Sequence, residues 1–189
     1  MAHRVDLELI HDREHYATVV DRLLRRAEVS LWIATANVKE LHVEAPVGTR
    51  ARARGRFQSI VSVLADLARR GVEIRLLHAT RPSRRFEAAR RRLDDALSDA
   101  VELRQCPRTH LKMIAVDGAH LYLGSANFTG AGLGAKGEAQ RNFETGILTE
   151  DEGLLDAMQE RFDRIWRGGA CTGCRLRAEC PGPLDGQAA

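Results

Sequence analysis

Long apolar runs are missing from this chain: no stretch of eighteen apolar residues occurs, so no segment is suited to cross a membrane as a helix. Aromatic residues are scarce, at 5% of 189 residues, so the core must rest on Leu, Val, Ile and Ala. That scarcity also argues against the aromatic stacking platforms of many sequence-tolerant single-strand binders. Neither sign of charge dominates: 29 Lys and Arg against 26 Asp and Glu give a formal +3, which alone says little about partners. The N-terminus, Met1-Ala2-His3-Arg4-Val5-Asp6-Leu7-Glu8, is too charged for the apolar segment of a secretory leader. A cytoplasmic location is therefore expected, where thiols stay reduced. No convincing internal repeat is present.

What is there fits an ordinary globular protein. Hydrophobic residues make up 44% and charged residues 29%, a balance that excludes a disordered chain and suits one domain with a substantial core. Arginines are unevenly spread. Arg50, Arg52, Arg54 and Arg56 alternate in one stretch, and Arg81, Arg84, Arg85, Arg90, Arg91 and Arg92 crowd another. Singly they read as solvated faces; together they suit a polyanion.

Periodicity divides the chain into alternating helices and strands. Tyr16, Val19, Val20, Leu23, Leu24 and Ala27 share a helical face before the apolar run Val29 to Ala36. Residues 43–56, with Pro46, Gly48 and Gly55, read as a mobile basic loop. Phe57, Ile60, Val61, Leu64 and Leu67 predict a second helix ending at Gly71, and Val72, Ile74 and Leu76 a strand. An arginine-rich helix is expected over residues 83–97 and a short strand over Val101 to Leu103. Met113 to Val116 and Leu121 to Leu123 flank Asp117 and Gly118, a strong turn pair, and so predict a hairpin. A flexible glycine-containing loop over residues 129–140, a strand from Phe143 to Leu148 and a final helix over 150–166 follow. Leu154, Leu155, Met158, Phe162 and Ile165 should face inward on that helix. The alternation argues an α/β sandwich with a mixed sheet flanked by helices, residues 1–167 forming one catalytic domain and 168–189 a short cysteine-rich tail.

Residues 110–127 carry the chemistry. His110, Lys112, Asp117, Gly124, Ser125 and Asn127 are spaced H-x-K-x4-D-x6-G-S-x-N. On extended backbone His110 and Lys112 share a face, and a hairpin at Asp117 brings Gly124 to Asn127 back beside them. Imidazole, ammonium, hydroxyl and amide then surround one point, as a phosphate with developing oxyanion charge requires. This spacing resembles the signature of the phospholipase D superfamily at every fixed position. The resemblance implies a sandwich fold of that family and a metal-independent phosphodiesterase. It makes His110 the nucleophile that forms a covalent phosphohistidine. Lys112 and Asn127 become phosphate ligands, Ser125 their support, and Asp117 a structural residue of the turn. Glu144, in Asn142-Phe143-Glu144-Thr145-Gly146, stands where the family places an acid that orients the histidine. The other histidines, His3, His11, His15, His42, His78 and His120, read as structural.

The resemblance also implies a second catalytic histidine to protonate the leaving oxygen and then activate water. Histidine and lysine at this spacing occur once here, so a homodimer sharing one active site is expected, each copy supplying its His110. The family cuts or transfers phosphodiesters of DNA, RNA and lipids, so the substrate is open. A nuclease or endonuclease acting on nucleic acid is favoured by the arginine clusters. A phospholipase D or phospholipid transphosphatidylase is the alternative, and a non-catalytic nucleic-acid-binding module a second one. Cys171, Cys174 and Cys180 form C-x2-C-x5-C, with Cys106 a candidate fourth ligand. In a reducing compartment such spacing suits zinc or an iron–sulfur cluster, with free thiols as the bland alternative. No cofactor is expected for catalysis.

Overall fold

The computed structural model describes residues 4–186, and His3 lies outside them. β1 (Glu8–His11) leads to a helical segment, Tyr16–Leu23, wound in the wide π manner: the Leu24 amide reaches the Val19 carbonyl, five residues back. Its apolar stripe of Val19, Val20 and Leu23 is buried, and a tight turn over Leu24–Arg26 ends it. β2 (Ser30–Thr35) follows, matching the apolar run.

Residues 43–56 are more ordered than a basic loop. β3 (His42–Glu44) and β4 (Phe57–Ser59) pair antiparallel around the single-turn helix α1 (Arg50–Ala53). The arginines hide two local signals there. Val43 is fully buried, and the Thr49 hydroxyl accepts from the Arg52 amide to cap α1. Phe57, expected on the inward face of the next helix, instead lies in β4 and is 61% exposed. The Ser59 hydroxyl takes the Val61 amide and starts α2 (Ile60–Arg69) one residue after that strand.

β5 (Glu73–His78) confirms the predicted strand. The arginine-rich helix is two helices, α3 (Arg84–Arg90) and α4 (Asp95–Ala100), because Asp94 caps a new start by accepting from the Leu97 amide. β6 (Val101–Gln105), the hairpin β7 (Met113–Val116) and β8 (His120–Gly124), β9 (Thr145–Thr149) and α5 (Glu152–Trp166) complete the order. The glycine-containing loop over 129–140 is a series of turns ending in a 3-10 turn at Glu138–Gln140. β9 begins at Thr145, two residues later than expected, and Phe143 is 96% exposed.

Seven strands form one mixed sheet in the order β1-β9-β8-β7-β2-β5-β6. β2, β5 and β6 run parallel; β7, β8, β9 and β1 add antiparallel neighbours. Strand alternation sends Leu31, Ile33, Ile74, Leu76, Ile114 and Val116 to one face, under the N-terminal helical segment, α2 and α3. Ala34, Leu77, Met113, Ala115 and Leu121 go to the other, under Leu155, Phe162 and Trp166 of α5. Leu154, Met158 and Ile165 pack there while partly exposed. The mixed sheet flanked by helices is thus the α/β architecture expected.

Register decides where chemistry can gather. Thr35 pairs with His78, and His78 with Gln105, so the parallel strands end together. β7 is antiparallel to β2 with Ala34 opposite Met113, which puts residues 110–112 at that same edge. Gly124 opposes Gly146, and His11 opposes Thr145, so β8 ends there and β9 begins there. In open α/β sheets this is the edge where ligand-binding loops collect.

Candidate active site

The hairpin is built by its turn. Asp117 and Gly118 have φ of 56° and 61°, and the Ala119 amide closes onto the Val116 carbonyl at 3.0 Å. Two left-handed residues in succession make a type I′ turn, whose twist suits a tight hairpin. Asp117 does a second job at the far edge of the sheet from His110. Its carboxylate accepts the backbone amides of Glu28, Val29 and Ser30 at 2.8–3.1 Å and so anchors the start of β2. The aspartate of the motif is therefore found in a structural setting.

At the near edge, His110 and Lys112 precede β7 rather than lying within it. Lys112 Nζ donates to the His110 carbonyl at 3.0 Å and lies 3.1 Å from His110 Nε2 and 3.3 Å from Nδ1. Which ring nitrogen accepts depends on the tautomer. Partial burial lowers the pKa of the Lys112 ammonium, an effect that the nearby Glu144 carboxylate opposes. The Gly124 amide donates to the Lys112 carbonyl at 3.1 Å, which ties the returning strand to the segment bearing His110.

Asn127 has a divided carboxamide. Its Oδ1 accepts from the Thr35 hydroxyl and from the Ala36 and Asn37 amides, each at 3.2 Å. With the oxygen so occupied, Nδ2 is the end left to donate to a ligand. Thr35 is the residue that sequence reasoning missed: its hydroxyl also takes the Phe128 amide at 3.0 Å, holding the Asn127 loop on the end of β2. A lone Thr closing an apolar strand is the faint signal that was there.

Ser125 and Glu144 form a unit. The Ser125 hydroxyl donates to Glu144 Oε2, and Asn142 Nδ2 donates to Oε1 at 2.9 Å. The Thr145 amide in turn donates to Ser125 Oγ at 3.1 Å. Glu144 is 8% exposed, and Asp12 clamps its backbone from both sides. The Asp12 amide donates to the Glu144 carbonyl at 2.9 Å, and the Glu144 amide to Asp12 Oδ1 at 2.8 Å. Among the described residues Glu144 makes no hydrogen bond to His110, the contact expected of it. Its links to the cluster are the hydrogen bond from Ser125 and its charge near Lys112.

Four of the other histidines make contacts within the fold. His15 and His78 are buried with Nδ1 near backbone carbonyls, and burial lowers the pKa of both. His120 pairs with Glu150 at 3.2 Å, and His11 Nδ1 lies 3.2 Å from the Thr145 hydroxyl. All four cysteines line one small cavity beside α5. Among the described residues, however, no three Cys, His, Asp or Glu side chains are arranged to hold a metal ion. No described helix is long and apolar enough to cross a membrane.

A cluster of imidazole, ammonium, hydroxyl and amide at one sheet edge suits an anion carrying several oxygens. The sequence profile of a family described as cardiolipin synthase, PLD-like domain, matches residues 20–166. No curated protein is a sequence match. Among solved structures, the fold is similar to Nuc from Salmonella typhimurium, a phospholipase D family member, with a TM-score of 0.57 and 17% identity over 86% of this chain and 95% of that one. It is also similar to NucT from Helicobacter pylori, with a TM-score of 0.55 and 14% identity over 85% and 95% of the two chains. Phosphatidylserine synthase from Haemophilus influenzae gives a TM-score of 0.52 and 15% identity, covering 84% of this chain but 38% of its own.

Proposed function

The chain belongs to the phospholipase D superfamily, and we propose that it is a metal-independent nuclease that hydrolyses DNA or RNA phosphodiesters through a phosphohistidine at His110. The observation that carries this reading is the convergence of His110, Lys112, Ser125 and Asn127 at one sheet edge, with His110 exposed to a ligand.

In this reading a ring nitrogen of His110 attacks phosphorus, forming an N–P bond as the P–O bond to the leaving group breaks. Lys112 Nζ and Asn127 Nδ2 hold the non-bridging oxygens as their negative charge grows. Ser125, fastened by Glu144, supports that cradle. The leaving oxygen takes a proton from the His110 of a second copy, since this chain contains one His–Lys pair at the motif spacing. That same imidazole then accepts a proton from water, whose oxygen attacks phosphorus and releases His110. Imidazole, ammonium and amide supply the nucleophile and the charge stabilisation, so no step calls for a metal. The exposed position of His110 is consistent with a site completed by a homodimer about a twofold axis.

Two observations favour nucleic acid. Arg81, Arg84 and Arg85 are exposed just beyond the end of β5, where the Thr80 hydroxyl bonds the Ala36 carbonyl and Asn37 Oδ1. They therefore continue the edge that holds Asn127, and a phosphate backbone needs such a basic margin. Nuc and NucT are covered over nearly their whole length, unlike phosphatidylserine synthase. The family profile, whose description names cardiolipin synthase, favours a second reading, a phospholipid phosphodiesterase or transferase.

A parallel panel of single- and double-stranded DNA, RNA and phosphatidylcholine vesicles, incubated in EDTA, tests the proposal. Nucleic-acid cleavage that disappears in His110→Ala is expected. Choline release without nucleic-acid cleavage overturns it for the lipid reading, and salt-sensitive binding without turnover for a binding module.

A further inference from the structure

Four cysteines from two distant stretches of the chain border one space. Cys106 follows β6, while Cys171, Cys174 and Cys180 lie in the tail, yet all four line one cavity of about 20 Å³ together with Ile165, Pro183 and Leu184. All four are free and partly exposed. They are also the only cysteines in the chain. Four successive tight turns carry the tail, with the Cys171, Cys174, Arg177 and Cys180 amides closing onto the carbonyls of Gly168, Cys171, Cys174 and Arg177.

Apolar burial gives this tail little support. Between Gly168 and Gly186 only Leu184 is a buried large side chain, and Leu176 is 39% exposed. A chain segment with so small a core needs another staple, and thiolates around a metal are a common one. Arg108 supplies a fitting counter-charge, its Nη1 lying 3.6 Å from Cys174 Sγ. The positive φ of Gly168, 76°, turns the tail back so tightly that a Cβ there would strike the Asp185 backbone. The fold thus holds the tail against residues 106–109 with all four cysteines at the junction.

We propose that Cys106, Cys171, Cys174 and Cys180 are thiolate ligands of one metal centre, a zinc ion or an iron–sulfur cluster, that fastens the tail to the loop bearing His110. The four cysteines line a common space without closing on a single ion-sized point, so holding one zinc ion would require their side chains to turn inward, whereas a cluster would need less convergence. The link to the active site is short. The Cys106 amide donates to the His78 carbonyl, and the Thr109 amide to the Cys106 carbonyl, both at 2.9 Å, and His110 follows. The centre therefore acts on structure at the margin of the reaction. Its effect on turnover rests on the function proposed for His110, whereas its existence does not.

The full chain, purified anaerobically without a metal-affinity step, tests this by metal and sulfide analysis. About one zinc per chain, or iron with matching acid-labile sulfide and visible absorption, is expected, and the two results distinguish the metals. Cys174→Ser should lower bound metal ~10-fold or more. Should that variant not fold, thiol titration of the wild-type chain with a mercurial serves instead, with metal released in step with the modified cysteines. Wild-type protein with no stoichiometric metal and four freely reacting thiols overturns the proposal. Disulfides among the four cysteines, or metal undiminished in Cys174→Ser, do so equally. None of these readouts needs a substrate, so a metal-loaded chain without phosphodiesterase activity counts against the functional reading alone.

Discussion

Replacing Asp117 separates architecture from chemistry within one motif. Its carboxylate takes three backbone amides at the start of β2, and a hydrogen bond to a charged group contributes about 1.5–3 kcal/mol. Glu28 and Val29 are exposed, so water replaces the carboxylate at their amides, and only the Ser30 bond counts nearly in full. About 2 kcal/mol is therefore lost in Asp117→Ala. Alanine at φ 56° adds roughly 1 kcal/mol of left-handed strain, for a total of about 3 kcal/mol. Asp117→Asn keeps an oxygen acceptor and tolerates that φ, so its loss should be about 1 kcal/mol. In urea unfolding, Ala should lower the midpoint by about 1 M or more and Asn by less than half as much. The four residues of β7 put Asp117 five steps from Lys112, a span of roughly 17 Å at strand rise. Turnover measured well below the midpoint should accordingly stay within about threefold of wild type, as for a site beyond direct contact. A ~100-fold loss of turnover in Asp117→Asn with unchanged stability would refute this division of roles.

Other perturbations probe the near edge. Asn127→Asp keeps the oxygen that β2 binds but removes the Nδ2 donor, so turnover should drop roughly 100-fold or more while the urea midpoint moves little. Because Lys112 must carry its proton to hold phosphate and burial lowers its pKa, the alkaline limb of the pH–rate profile should lie below the ordinary lysine range; Lys112→Arg should move that limb upward, even at reduced rate. Ser125→Ala and Glu144→Ala both break the Ser125–Glu144 hydrogen bond, so the double variant should lose little more activity than Glu144→Ala alone; additive losses would contradict their acting as a unit. Gly132→Ala would drive a Cβ to 2.5 Å from the Asn127 carbonyl, and should cost about 1–3 kcal/mol of stability together with activity.

Much of this was legible in the chain. Asp117 and Gly118 announced the turn because only residues tolerant of left-handed backbone close so tight a hairpin, and the spacing around them then fixed which residues return beside Lys112. The apolar runs Val29 to Ala36 and Met113 to Val116 likewise foretold β2 and β7. Local capping was read less well. Asp94 interrupts what periodicity shows as one helix, and Ser59 moves Phe57 out of the next, because a single hydrogen bond at a cap outweighs a weak apolar pattern. Contacts between distant segments were illegible. Nothing around Thr35 points to residue 127, and nothing near Asp12 points to Glu144, since pairing across the sheet is set by strand order and not by neighbours in sequence. Glu144 likewise lies at the expected edge, but the side-chain hydrogen bonds it makes are with Ser125 and Asn142.

The central claim is that a nitrogen of His110 becomes covalently bound to phosphorus during turnover. Acid-labile adducts are best sought by rapid quenching during cleavage of a labelled phosphodiester, followed by peptide mapping at neutral to alkaline pH. The account predicts label on the peptide containing His110 in wild-type protein, and neither label nor turnover in His110→Ala. Wild-type turnover in His110→Ala, or label confined to another residue, contradicts it.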